Sequence, residues 1–245
     1  IQERLYGYGS RQFYNGLTQN HIELVDDPSN PLSFEVAQTI FESKNYKDSS
    51  MRGRQSINPL KKFGLVQTDN KKVSITDLGK LFLKDNFDYE EIFFKTFLKW
   101  QLPNPDSTDY KLKDGYNIKP FIGVLHLINK VNQESKKLGE KAKGISKQEF
   151  SLFCPLLVNY KDIENYAEKI LFLRKQIQGK SKKEQKIIFE SYRKQFALEF
   201  TNNEEKDMGK FLKNLKDYGD NAIRYFRLFP IWPVLPSGAG EDQWF

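Results

Sequence analysis

Residues 52–66 read RGRQSINPLKKFGLV, and residues 65–76 continue as LVQTDNKKVSIT. Together they decide the fold. In the first stretch Ile57, Leu60 and Phe63 recur at three-residue spacing, the signature of a helix with one buried face. The spacing predicts a helix over 50–63. Gly64 then stands where a helix C-cap needs a residue that tolerates positive φ. In the second stretch Leu65 and Val66 lead into Thr68-Asp69-Asn70, which has turn chemistry, and Val73 and Ile75 alternate with polar residues. That pattern predicts a short hairpin. Thr76 follows as an N-cap for DLGKLFLK.

Working outward, apolar spacing near 3.6 predicts further helices at 34–44, 76–85, 89–101, 119–137, 147–158, 161–178, 182–198 and 205–227. The fold class expected is mainly α with small β-hairpins. Helix 34–44, helix 50–63, hairpin and third helix follow the order of a winged helix, a helix-turn-helix variant. In that architecture the helix before the hairpin enters the major groove of duplex DNA. Arginine pairs bidentately with guanine, and Gln and Asn pair with adenine. Arg52, Arg54, Gln55 and Asn58 are therefore the base-reading candidates. Lys61, Lys62, Lys71 and Lys72 are the phosphate-binding candidates, with Asn70, Lys71 and Lys72 at the wing tip. Pro59 interrupts this element. Either the helix kinks there, or Asn58 caps a fresh start with Pro59 at its first position. A winged helix also serves as a protein-interaction unit, and that reading stays open beside DNA binding.

Charge distribution bears on the partner. The 245 residues carry a net charge of +7. Residues 1–50 hold four basic side chains against seven acidic, whereas 51–72 hold six against one and 174–194 eight against two. Clustered positive charge is what a nucleic-acid footprint requires, although a solvated helix face also clusters lysines. The chain is 38% hydrophobic and shows no apolar run of membrane-spanning length. Cys154, the single cysteine, lies in apolar FSLFCPLL, so a buried free thiol and a reducing cytoplasmic setting are expected. The chain opens on Ile1, so the natural N-terminus is expected to lie upstream.

Catalytic patterns are sparse. Metal-dependent phosphodiester cleavage needs carboxylates converging on magnesium with a lysine nearby. Asp106 and Asp109-Tyr110-Lys111 sit in the polar loop LPNPDSTDYKLKDGYN. Glu42-Ser43-Lys44, Glu184-Gln185-Lys186 and Glu204-Glu205-Lys206 fall in predicted helices or their ends. All read as chance matches. His21, His126 and Cys154 make no zinc site, and no GxxxxGK[ST] loop occurs. The expectation is no catalytic residue, no metal ligand and no cofactor within these residues.

The segments RQSINPLKKFGLVQTDNKKVSITDLGKLFL, FLKWQLPNP, NIKPFIGVLHLINKV, GISKQEFSLFC, IENYAEKILFLRKQI and NLKDYGDNAIRYFRLF, in that order, resemble the N-terminal part of the AlwI-type restriction endonucleases. The resemblance runs from about 50 to 229. It implies a type IIS-like layout. Two winged-helix-like subdomains recognise a short asymmetric duplex site, and a separate C-terminal PD-(D/E)xK nuclease domain cuts nearby with magnesium. The domains implied are 1–105 with an N-terminal extension, a linker at 106–117, and 118–245. The DNA-facing helix of the second subdomain would be 206–224, carrying Lys210, Lys213, Asn214, Lys216 and Arg224. A surface helix packed by Phe211, Leu215, Ile223 and Phe226 is the alternative for that segment. Two unlike subdomains need no palindrome, so a monomer is expected. The three prolines in PIWPVLPSGAGEDQWF depart from the second wing hairpin the family would have there. The nuclease domain is expected to lie outside this chain. Rival readings are a standalone winged-helix regulator, a non-DNA interaction module, and a complete small nuclease with an unrecognised site.

Overall fold

The computed structural model describes residues 33–43, 57–69, 72–84, 88–104, 115–202 and 207–226. The chain divides into two compact units, Ile1–Asp88 and Tyr89–Phe245. The fold is mainly helical with a single two-stranded antiparallel sheet among the described residues.

The first unit begins its described part with α1 (Phe34–Ser43). The Ser33 hydroxyl accepts from the Val36 amide at 3.3 Å, and Ile40 is buried. Helix α2 covers residues 57–62. It ends in a Schellman motif: the Leu65 amide donates to the Leu60 carbonyl, the Gly64 amide donates to the Lys61 carbonyl, and Gly64 has φ 71°. Phe63 and Leu65 turn inward beside this motif. Strands β1 (Val66–Asp69) and β2 (Lys72–Ile75) pair from Val66↔Ile75 to Asp69↔Lys72. Helix α3 (Asp77–Phe82) follows.

Thr76 ties these pieces together. Its hydroxyl oxygen accepts from the Gly79 amide at 3.0 Å as the N-cap of α3, and the same hydroxyl donates to the Gly64 carbonyl at 2.6 Å. Its amide donates to the Leu65 carbonyl at 3.1 Å. The first turn of α3 lies so close to α2's exit that a Cβ built on Gly79 would stand 2.0 Å from the Leu65 carbonyl oxygen.

The second unit opens with α4 (Tyr89–Lys99). Its aromatic side chains pack within this unit. Phe94 meets Phe121 edge-on at 6.4 Å, and Leu102 and Ile118 exchange backbone hydrogen bonds at 2.7 and 3.0 Å. Helix α5 (Pro120–Lys137) starts with Pro at its first position, where the missing N–H costs nothing. Helix α6 (Lys147–Phe153) starts on a capping box between Ser146 and Glu149. The helix expected over 147–158 stops at Phe153 and continues as a 3-10 turn, Cys154–Leu156. Pro155 is the reason, since it has no amide hydrogen and its ring crowds the preceding turn. After a second 3-10 turn at Tyr160–Asp162 come α7 (Ile163–Ile177), α8 (Lys182–Phe200) and α9 (Met208–Phe226).

Two aromatic clusters hold this unit. Phe226 of α9 sits 5.7 Å from Phe97, 5.0 Å from Phe121 and 6.0 Å from Phe150, all in edge-on contact. Phe153, Tyr166 and Phe196 meet at 4.9 to 5.9 Å and join α6, α7 and α8. The Tyr166 hydroxyl donates to the Leu156 carbonyl at 3.0 Å. Its burial pushes the phenol well above its ordinary pKa. Lys130 of α5 bridges Glu134 and Glu164 at 3.5 and 2.6 Å, and both carboxyls are held below their usual range, chiefly by hydrogen bonds from Lys137 and Lys130 respectively.

Gly79→Ala should lower stability by about 1–3 kcal/mol through the clash with the Leu65 carbonyl. Thr76→Ala should cost about 1 kcal/mol, while Thr76→Ser, which keeps the hydroxyl, should melt near the parent temperature. Thermal denaturation followed by circular dichroism checks all three. A Gly79→Ala chain as stable as the parent would refute the close packing of α3 on the Schellman turn.

Candidate nucleic-acid interface

In the first unit the expected reading helix is described only in part. Arg52, Arg54 and Gln55 lie outside the described residues. Asn58 is exposed on α2, Lys61 is half-buried and Lys62 is exposed. Helical conformation already holds at Ile57 and Asn58, so Asn58 is not the cap of a helix that starts at Pro59. Asn70 and Lys71, the expected wing tip, also lie outside the described residues, as does the side chain of Lys72. The Lys72 backbone pairs with Asp69 at the distal end of the hairpin. The hairpin stands clear over most of its described length: Gln67, Thr68, Asp69, Val73, Ser74 and Ile75 are exposed, and Val66 is half-buried. An isolated two-stranded ribbon is marginal in water, so its base must be held. The Thr76 and Schellman hydrogen bonds do that.

In the second unit the geometry centres on α9. Leu215, Gly219, Ile223 and Phe226 are buried along one face. Their spacing of four, four and three residues leaves the opposite face outward. Lys210, Lys213, Asn214 and Arg224 all fall within about 60° of one line on that outer face. Lys210, Lys213 and Arg224 are exposed and Asn214 is half-buried. Lys216 is exposed as well, but it lies about 120° round the helix from Lys210. Two side chains of the same stripe, Asp217 and Asn221, are absent from the sequence-derived set. The periodicity that places Lys210 and Arg224 on this stripe places these two there as well.

Three anchors set how α9 lies. A Cβ on Gly219 would come 2.7 Å from the Ser151 Cα, so α9 crosses α6 backbone to backbone. Lys147 of α6 pairs with Asp220 at 3.4 Å. The Arg193 guanidinium of α8 donates to the Leu212 carbonyl at 2.6 Å. The last contact divides the 174–194 cluster. Arg193 is held by Leu212 and Glu190, and Arg174 by Glu149 and the Gly144 carbonyl. These two arginines are structural. Lys175, Lys180, Lys182, Lys183, Lys186 and Lys194 are exposed.

Two of the carboxylates with catalytic potential have structural roles. Glu184 completes the capping box of α8 with Ser181, whose hydrogen bonds hold its carboxyl below the usual range. Glu42 accepts from the Gln38 amide at 2.6 Å on α1. Asp106, Asp109 and Lys111, together with Glu204, Glu205, Lys206 and Lys44, lie outside the described residues. Cys154 is buried, and burial, with the Glu149 charge, pushes its thiol well above the ordinary value, so it is no nucleophile. Tyr192 is pushed up to about 12 by partial burial and the Glu199 charge. His126 is exposed on α5, with Tyr160 edge-on at 6.4 Å. Among the described residues no three His, Cys, Asp or Glu side chains converge as a metal site would need, and no helix is long and apolar enough to cross a membrane.

The class this defines is a mainly helical protein that presents clustered cationic and amide side chains on anchored helix faces. The sequence profile of the AlwI restriction endonuclease family matches residues 61–231, more than half of the 245-residue chain. The chain therefore belongs to the AlwI restriction endonuclease family, a family of DNA-acting hydrolases of restriction–modification systems. DNA is the partner this family implies. No curated protein matches the chain.

Gly219→Ala should destabilise the second unit by about 1–3 kcal/mol, because the atom the added methyl meets first is the Ser151 Cα, part of the backbone of α6. Urea denaturation reads this. An unchanged midpoint would mean that α6 and α9 do not cross so closely.

Proposed function

We propose that these residues form the sequence-specific recognition part of a type IIS-like restriction or nicking endonuclease. The first unit reads DNA as a winged helix, and the second, winged-helix-like, presents α9 to the duplex. The observation that carries this reading is the order α2, β1–β2, α3, locked at Thr76, in a chain of a DNA-cutting family. Helix-then-hairpin is the arrangement in which a helix enters the major groove and a ribbon rests on phosphates.

On this reading Arg52, Arg54, Gln55 and Asn58 contact bases, while Lys61, Lys62, Lys71 and Lys72 contact phosphates. Lys210, Lys213, Asn214, Lys216 and Arg224 supply the second unit's contacts. Two unlike units suit a short asymmetric site bound by one copy of the chain. Cleavage belongs to a PD-(D/E)xK nuclease domain, C-terminal to the recognition part, using magnesium. The described residues offer no converging carboxylates to hold that ion, and no step of cleavage is assigned to them.

Binding to labelled duplex at several salt concentrations tests the division of labour. Arg54→Ala should cost about 1–3 kcal/mol on the selected site and relax one position of it. Lys71→Ala should weaken selected and random duplexes alike and reduce the salt slope by about one. Equal losses on random duplex for both variants would overturn the assignment of reader and anchor. Tight binding of a palindrome by two copies of the chain would favour a standalone regulator instead.

A further inference from the structure

The outward stripe of α9 carries an acidic residue where a DNA-facing surface would ordinarily exclude one. Lys210, Lys213, Asn214, Asp217, Asn221 and Arg224 share the face opposite Leu215, Gly219 and Ile223. The hydrogen-bonding residues Asn214, Asp217 and Asn221 occupy its middle, spanning about 10 Å at 1.5 Å per residue. The cations Lys210 and Arg224 flank them, about 21 Å apart. The middle fits within a major groove about 12 Å wide, and the long side chains of the flanking cations can reach inward to phosphates at its edges. Charge complementarity and membership of a DNA-cutting family name the occupant of this helix face as duplex DNA.

The second acidic side chain nearby behaves differently. Asp220 points toward α6 and pairs with Lys147. Asp217 is exposed and, among the described residues, forms no ion pair. On a face approaching phosphates an unneutralised carboxylate is repelled, unless it meets a hydrogen-bond donor on a base edge. A carboxylate only accepts. Guanine offers acceptors at N7 and O6, thymine an acceptor and a methyl, and adenine a donor beside the N7 acceptor. Cytosine offers its N4 amine as a donor.

We propose that Asp217 is a specificity-determining residue that selects cytosine in the major groove, with Asn214 and Asn221 reading the neighbouring pairs. The inference rests on the reading of α9 as a DNA-facing helix. On that basis Asp217 gives up general affinity for DNA and gains discrimination.

Selection from a library of randomised duplexes, with the full chain as probe, tests it. The wild-type chain should enrich a motif with a fixed C·G pair that Asp217→Asn no longer fixes, the other positions being unchanged. Discrimination at that pair should fall on the order of ten- to a hundred-fold. Affinity of the variant for one fixed random 30-bp duplex should rise at low salt. A motif retained whole by Asp217→Asn overturns the proposal, even if random-duplex affinity rises, because the carboxylate then sits at a phosphate rim. The combined Lys210→Ala, Lys213→Ala, Arg224→Ala chain reports separately on the underlying reading. If it binds random duplex as tightly as the parent, α9 does not face DNA and both inferences fall. If it binds weakly while Asp217→Asn keeps the motif, only the role of Asp217 falls. Asp217 lies on an exposed helix face, so circular dichroism of the variant should match the parent.

Discussion

The second unit depends on one buried ion pair. Glu149 is almost wholly enclosed and receives the Arg174 guanidinium on both oxygens, at 2.7 and 2.9 Å. The same carboxylate accepts the Ser146 amide at 2.6 Å and completes the capping box of α6. Arg174 also donates to the Gly144 carbonyl, and the Gly144 amide donates to Asn132 of α5. One carboxylate thus joins α5, the loop before α6, α6 itself and α7. A charge removed from water is costly unless every partner is satisfied, so this arrangement is all-or-nothing. Burial on this scale rewards no loosely similar geometry, and the start of α6 has a single position. Helix α9 then takes its place on α6 through Ser151 and Lys147.

The first unit meets the same need with neutral groups. A ribbon exposed on both faces cannot hold itself, so its base is tied by backbone hydrogen bonds and one threonine hydroxyl used twice, as acceptor for Gly79 and donor to Gly64. Glycine is required at two places for different reasons. Gly64 adopts a left-handed backbone, and Gly79 leaves room for the Leu65 carbonyl. The outcome suits a protein that acts on DNA: rigid bases, with polar side chains left outside. The division of the basic 174–194 segment shows the same economy. Its two half-buried arginines serve the fold, because a planar guanidinium satisfies several acceptors at once, while its lysines remain in water.

Much of this was legible in the residues. Periodicity near 3.6 placed nearly every described helix to within a few positions, and the alternation around Val73 and Ile75 placed the hairpin. Thr76 as a cap and Gly64 as a helix stop followed from local chemistry alone. Where the sequence misled, a specific competitor won. Pro155 converted the end of a predicted helix into a 3-10 turn. Helix α4 packs its aromatic residues with Phe121 and Phe226, partners far along the chain that no local pattern reveals. His126, which the sequence excluded only from a zinc site, faces outward, because α5 buries Val124 and Leu127 and leaves position 126 on its other side.

The sequence by itself determined the helical class, the helix–hairpin–helix order of the first unit, its caps and the clustering of positive charge. These are local properties, set by backbone sterics, spacing and side-chain type within a few residues. The tertiary structure alone decided which charges serve the fold and which face outward. Arg174 and Lys175 are neighbours in sequence, yet one is locked onto a buried carboxylate and the other is solvated. Asp217 and Asp220 are three positions apart on one helix, yet one is paired to α6 and the other is not. Nothing local distinguishes the members of either couple. Only the helix packed beside each of them does, and that depends on contacts between residues distant along the chain.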